Sequence, residues 1–272
     1  MPSMNRCLVT GGELAYQSYG SGVPLVLVHG ITTYSFIWRK LIPFLHQDFK
    51  VYVVDLLGCG HSAMPLDQSY SLKDHVSRVG ELMDQLSLDR PHLIGHDLGG
   101  GICQIMAVQS PEKVRSLTLI NSVGHNFWPV QPINAMRTPI VRNLLMAITD
   151  RRVFKLVVKR GLYHKELLTD ELMDLFWKPL ESELGRKAFF HFAKCLDNQD
   201  LTEIETDLQQ LMLPVLILRG DADPYLSEEI SEKLHTDISG SRLERIATAS
   251  HFLMEDEPEW AARKIKEFLH EL

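Results

Sequence analysis

Short uninterrupted apolar runs recur along the chain, separated by stretches of helical period. Leu25 to Val28, Val51 to Val54, His92 to Ile94, Leu117 to Ile120 and Val215 to Leu218 are such runs, dominated by Val, Ile and Leu. A strand buried on both faces needs no polar alternation, so runs of this kind predict a parallel sheet covered on both sides. Between them, Leu72 to Leu86 sets Val76, Val79, Leu82, Met83 and Leu86 on one helical face. Leu98 to Gln109 and Glu257 to Leu269 carry similar stripes. Strand and helix in alternation predict an α/β fold, a mostly parallel central sheet with helices on both faces and right-handed crossovers. Cys7 to Thr10 and Leu14 to Tyr19 have no helix between them and predict an antiparallel edge.

The alternation stops after Ile120. From about Ser122 to Asp207 the pattern is helical, with candidate helices over Leu144 to Val158, Thr169 to Trp177 and Arg186 to Cys195. Sheet character resumes at Leu213-Pro214-Val215. The expected division is a core made of residues 1–121 and 208–272, with a helical cap of residues 122–207 inserted over the strands' carboxyl ends. Ligands of open α/β sheets bind at those ends.

Composition narrows the function. The 272 residues are 45% hydrophobic, ample for a packed core. The formal charge of −7 is spread among interspersed signs, which argues against a nucleic-acid partner. Apolar runs are too short to span a bilayer, and the first residues contain no signal-like apolar stretch, so a cytoplasmic protein without membrane insertion is expected. Cys7, Cys59, Cys103 and Cys195 lack metal-ligand spacing and read as reduced thiols. No dinucleotide or phosphate loop and no metal-binding cluster is present, so no cofactor is expected. The expected partners are a small apolar substrate and water. The sequence carries no signal of oligomeric state.

Chemistry concentrates at Gly95-His96-Asp97-Leu98-Gly99-Gly100, directly after a strand and directly before a helix. This is the form of a nucleophile elbow, a strained turn whose near neighbours must lack a Cβ. The turn aims Asp97 into the cleft and leaves the Leu98 N–H free at a helix N-terminus to hold an oxyanion. The loop after Val28, His29-Gly30-Ile31, offers the Ile31 N–H as the second donor.

Over essentially its whole length the chain resembles the α/β-hydrolase superfamily. His29-Gly30 follows the third strand, and Asp55-Leu56-Leu57-Gly58-Cys59-Gly60-His61-Ser62 the fourth. Gly220-Asp221-Ala222-Asp223-Pro224 follows the strand after the cap, and Ser250-His251-Phe252 precedes Glu255 and Pro258. The resemblance implies a triad of Asp97, Asp223 and His251, in the chain order nucleophile, acid, histidine. Asp223 is preferred to Asp221 because the family places its acid three residues after the glycine.

The carboxylate at the elbow sets the branch. With a reference pKa of ~3.9 it is ionised without a base and suits displacement at a saturated carbon. Attack on an ester carbonyl would instead give a mixed anhydride. Within the superfamily this resembles epoxide hydrolases and haloalkane dehalogenases, and the stretch His29 to Pro43 is similar to dehalogenases. Leu98 stands where dehalogenases commonly place a halide-binding indole, and Tyr163 is the only tyrosine between Ser122 and Asp207, where epoxide hydrolases usually place two. Substrate-binding candidates are His29, His96, Trp128, Tyr163 and Trp177. Epoxide opening ranks first, dehalogenation second, and ester, lactone or carbon–carbon hydrolysis third. A ligand-binding protein on a hydrolase scaffold is the non-enzymatic alternative, and retention of all three triad positions weighs against it.

Overall fold

The computed structural model describes residues 3–126 and 138–272. Its eight strands are β1 (Asn5–Val9), β2 (Gly12–Tyr19), β3 (Val23–Val28), β4 (Phe49–Val54), β5 (His92–Asp97), β6 (Ser116–Ser122), β7 (Val215–Gly220) and β8 (Arg242–Ile246). They form one sheet in the order β1-β2-β4-β3-β5-β6-β7-β8. The two pairings involving β2 are antiparallel and the rest are parallel, so the expected antiparallel edge is present. The helices of eight residues or more are α1 (Leu72–Gln85), α2 (Leu98–Gln109), α3 (Pro139–Ile148), α4 (Arg151–Arg160), α5 (Asp170–Trp177), α6 (Glu183–Cys195), α7 (Glu228–Asp237) and α8 (Pro258–His270).

The period-two geometry of β3 divides the core into two layers. Val26 and Val28 face the layer holding Val76, Val79 and Leu82 of α1 and Ile102 and Ile105 of α2. Leu25 and Leu27 face the opposite layer, with Trp38, Leu41, and Ile265 and Phe268 of α8. Strands β5, β6 and β7 are buried at every position, as their unbroken apolar runs require. Strand β8 escapes such reasoning: Arg-Leu-Glu-Arg-Ile lies at the sheet edge with no fully buried residue.

Between β6 and β7 the described residues contain helices and turns and no strand. The single helix expected over Leu144 to Val158 is two, because the Asp150 carboxylate accepts the Arg152 and Val153 N–H groups and starts α4 afresh. Thr169 and Ser182 cap α5 and α6 in the same way. This helical insertion anchors in both layers. Phe190 and Phe192 of α6 join the α1–α2 side, while Phe154 and Phe176 join the α8 side. Phe176 packs between Phe36 and Phe252 of the core, with ring centroids 4.9 Å from each.

Candidate active site

Asp97 ends β5 and precedes α2, with φ 54° and ψ −121°. A side chain in that region is strained, and the surroundings must hold it there. Two glycines make room. A Cβ on Gly99 would strike the Val28 carbonyl, and a Cβ on Gly30 would strike the Asp97 carboxylate itself. The Ile31 N–H donates to Asp97 Oδ2 at 3.2 Å, and the Leu98 N–H, at the start of α2, lies near enough to favour the charged carboxylate. Burial lifts its pKa above the ordinary carboxylate value, against the His251 charge and the two N–H groups.

His251 and Asp223 lie together. His251 Nδ1 is 3.0 Å from Asp223 Oδ2. Asp223 Oδ1 accepts the Tyr225 and Leu226 N–H groups at 2.8 and 3.2 Å. Burial would raise the Asp223 pKa, but His251, the Tyr225 N–H and Arg219 outweigh it and hold it low. Burial pulls the His251 pKa down, yet the Asp223 charge and hydrogen bond, with the Asp97 charge, carry it above its ordinary value. With Nδ1 oriented by Asp223, Nε2 is the nitrogen left to handle a proton.

Sequence reasoning missed Asn121. It sits near the end of β6 with φ 37°. Its Nδ2 donates to Asp223 Oδ2 at 2.7 Å and to the Ser250 carbonyl at 3.0 Å, and its Oδ1 accepts the Gly220 N–H at 2.9 Å. One amide thus joins the ends of β6 and β7 to the histidine loop. A polar residue closing an otherwise apolar strand is the signal that points to it.

Two of the substrate-contact candidates bond to the backbone. The His29 ring is fully engaged by backbone: Nδ1 donates to the Gly30 carbonyl at 2.7 Å and Nε2 accepts the Leu56 N–H at 3.0 Å. Burial lowers its pKa, and no ring nitrogen remains for a ligand. His96 is also buried, its pKa pushed down to about 3 chiefly by burial, and its Nε2 donates to the His251 carbonyl at 2.9 Å. It holds the catalytic-histidine candidate's backbone. Tyr163 is 44% exposed, with its ring edge-on to His164. Trp177 is half-buried, 5.9 Å from Phe154, which lines a pocket with Ile31, Phe176 and Phe189. Trp128 lies outside the described residues. Cys7, Cys59 and Cys103 are buried and unpaired, and Cys195 is half-buried. Among the described residues no helix is long and apolar enough to cross a membrane.

An eight-stranded, mostly parallel sheet with an acidic elbow at the end of its fifth strand, Asp223 after the seventh and His251 after the eighth has the form of an α/β-fold hydrolase. A family model described as alpha/beta hydrolase fold matches residues 23–258, and the chain belongs to that family. It is 27% identical to the 2-hydroxy-6-oxo-2,4-heptadienoate hydrolase of Pseudomonas putida, over 98% of this chain and 96% of that one. It is also 27% identical to haloalkane dehalogenase 2 of Mycobacterium tuberculosis, over 94% of this chain and 91% of that one. A solved α/β-hydrolase-fold protein from Burkholderia ambifaria superposes with a TM-score of 0.89 at 25% identity, covering 98% of this chain and all of that one. The protein is an enzyme of the hydrolase class.

Proposed function

We propose that the protein cleaves a bond from a saturated carbon to an anionic leaving group through an ester on Asp97, as a dehalogenase would. The observation that carries this reading is a buried carboxylate at the elbow, held by the Ile31 N–H beside the start of α2, with a His251–Asp223 pair completing the site. An Asp97 oxygen attacks the carbon, and the bonding pair departs with the leaving group. His251 Nε2 then takes a proton from water as the water oxygen adds to Asp97 Cγ. The Ile31 and Leu98 N–H groups hold the tetrahedral oxyanion. Collapse expels the substrate oxygen, which takes the proton from His251 as the alcohol forms; Asp97, left as the carboxylic acid, then gives up the second water proton, which leaves to solvent, and the carboxylate is restored.

The choice of leaving group is guided by the proton donors around the site. An epoxide or other alkoxide needs a proton as it departs; a halide or a strained lactone's carboxylate does not. Among the described residues, the Tyr225 hydroxyl is spent on the Val157 carbonyl at 2.6 Å. Tyr163 is largely exposed, and the ring N–H of His29 and of His96 is committed to backbone carbonyls. This moves the balance from the epoxides favoured by sequence toward leaving groups already stable as anions. The likeness to haloalkane dehalogenase 2 agrees with that choice. In this reading residues 122–207 act as the cap, and residues 1–121 and 208–272 as the core.

A matched panel of a 1-bromoalkane, an oxetan-2-one and a 1,2-epoxyalkane of equal chain length tests the reading. The first two are expected to turn over with kcat/KM at least about 10-fold above the epoxide; preference for the epoxide would reverse the assignment. The pH dependence follows from the two shifted groups. Asp97 must be ionised, and its pKa lies above 3.8; His251 must be neutral, and its pKa lies above 6.5. When ester hydrolysis limits turnover, kcat is lost as pH falls and His251 becomes protonated, held up by the Asp223 charge while the esterified Asp97 no longer contributes its own. A kcat–pH profile that falls on its acid side is the expected result, and one flat down to pH 5 would contradict it.

A further inference from the structure

Asp256 closes the short helix Leu253–Asp256 just beyond His251, and it is buried, at 8% exposure. Its carboxylate has no salt bridge to a cation among the described residues; it collects backbone N–H groups instead. Oδ1 accepts from Tyr163 and His164, each at 3.0 Å. Oδ2 accepts from Tyr163 at 2.9 Å and from Ser250 at 2.9 Å. Tyr163 and His164 belong to the turn that follows α4 in the helical insertion, whereas Ser250 immediately precedes His251. A single side chain therefore binds the insertion to the histidine loop. The Phe252 N–H donates to the Gly161 carbonyl at 3.0 Å in the same corner. The fit is close, since a Cβ on Gly161 would come within 2.7 Å of the Phe252 ring.

Apart from the Phe252–Gly161 bond, further hydrogen bonds on Ser250 and His251 come from outside the insertion or from the end of β6. Asn121 holds the Ser250 carbonyl, the Ser250 hydroxyl donates to the Ala222 carbonyl at 2.9 Å, and His96 holds the His251 carbonyl. Asp256 differs because it reaches across to a separate segment. We propose that Asp256 is a positioning residue that ties the Gly161–His164 turn of the insertion to Ser250 and thereby sets the place of His251. This rests on the Asp97-ester reading, in which His251 serves the second half-reaction only. Loss of Asp256 then slows hydrolysis of the ester while leaving its formation intact.

The kinetic signature separates this role from a general weakening of the fold. When the second step alone slows, ester accumulates, and kcat and KM fall together while kcat/KM is preserved. With a 1-bromoalkane as the probe, Asp256→Ala is expected to lower kcat by about 10-fold or more and KM in proportion, within the range seen when a partner that orients a reactive side chain is removed. Intact mass of the quenched protein should show the alkyl adduct at steady state. Asp256→Asn keeps one carboxamide oxygen able to accept and is expected to recover part of kcat, and it supplies the test should the alanine variant fold poorly. A fall in kcat/KM without adduct, or no kinetic change in either variant, would overturn the proposal. Failure of the ester reading itself shows separately: His251→Gln protein that never carries an adduct removes the foundation, whatever Asp256 does.

Discussion

Replacing Asp97 by alanine is expected to abolish turnover, lowering kcat by at least about 10³-fold, without unfolding the protein. The carboxylate is the attacking group, and no neighbour can substitute for it. Asp223 is bound by His251, Asn121 and two backbone N–H groups, and Asp55 is held by the Ser35 and His61 N–H groups. The fold should tolerate the change because Asp97 is costly where it stands. Burial works against its charge, a cost that alanine removes. Residues tuned for chemistry are often not the most stable choice for their position. The check is steady-state turnover beside a thermal melt. Retained activity would show that Asp97 does not form the covalent intermediate.

His251→Gln is expected to divide the reaction in two. Alkylation needs no base, so one equivalent of leaving group should be released per chain. Hydrolysis needs the imidazole, so turnover should then stop and the ester persist on the peptide containing Asp97. Glutamine keeps a polar side chain of similar reach beside Asp223. The measurement is burst amplitude together with peptide mass. A burst near one equivalent with the adduct supports the two-step scheme. Complete loss of the burst would place His251 in the first step, as the base of a serine-type mechanism would be.

The fold and the central site were largely legible because their signals are local. A parallel strand announces itself by an apolar run, and an elbow by glycines flanking a nucleophile. Strand β8 was missed because an edge strand buries little and Arg242 to Ile246 alternates without a clear apolar face. The break between α3 and α4 depends on one carboxylate, Asp150, choosing two backbone N–H groups over solvent. Asn121 and Asp256 were invisible as functional residues for another reason. Their partners are 99 to 129 positions away for Asn121 and 92 to 93 away for Asp256 within the insertion. No periodicity encodes such pairings. His29 and His96 show the converse: proximity to the elbow suggested ligand contact, but both ring nitrogens of His29 and Nε2 of His96 bond to the backbone. Proximity in sequence locates a site; which atoms remain free is decided by tertiary hydrogen bonding.

The most direct test of the Asp97 ester is a single turnover in ¹⁸O-water, with enzyme in excess over the 1-bromoalkane, followed by mass analysis of the alcohol and of the peptide containing Asp97. Water that attacks Asp97 Cγ leaves its oxygen in the protein. The alcohol should therefore carry unlabelled oxygen drawn from Asp97, and the peptide should carry the label. Labelled alcohol with an unlabelled peptide would mean that water attacks the substrate directly, and the covalent account would be wrong.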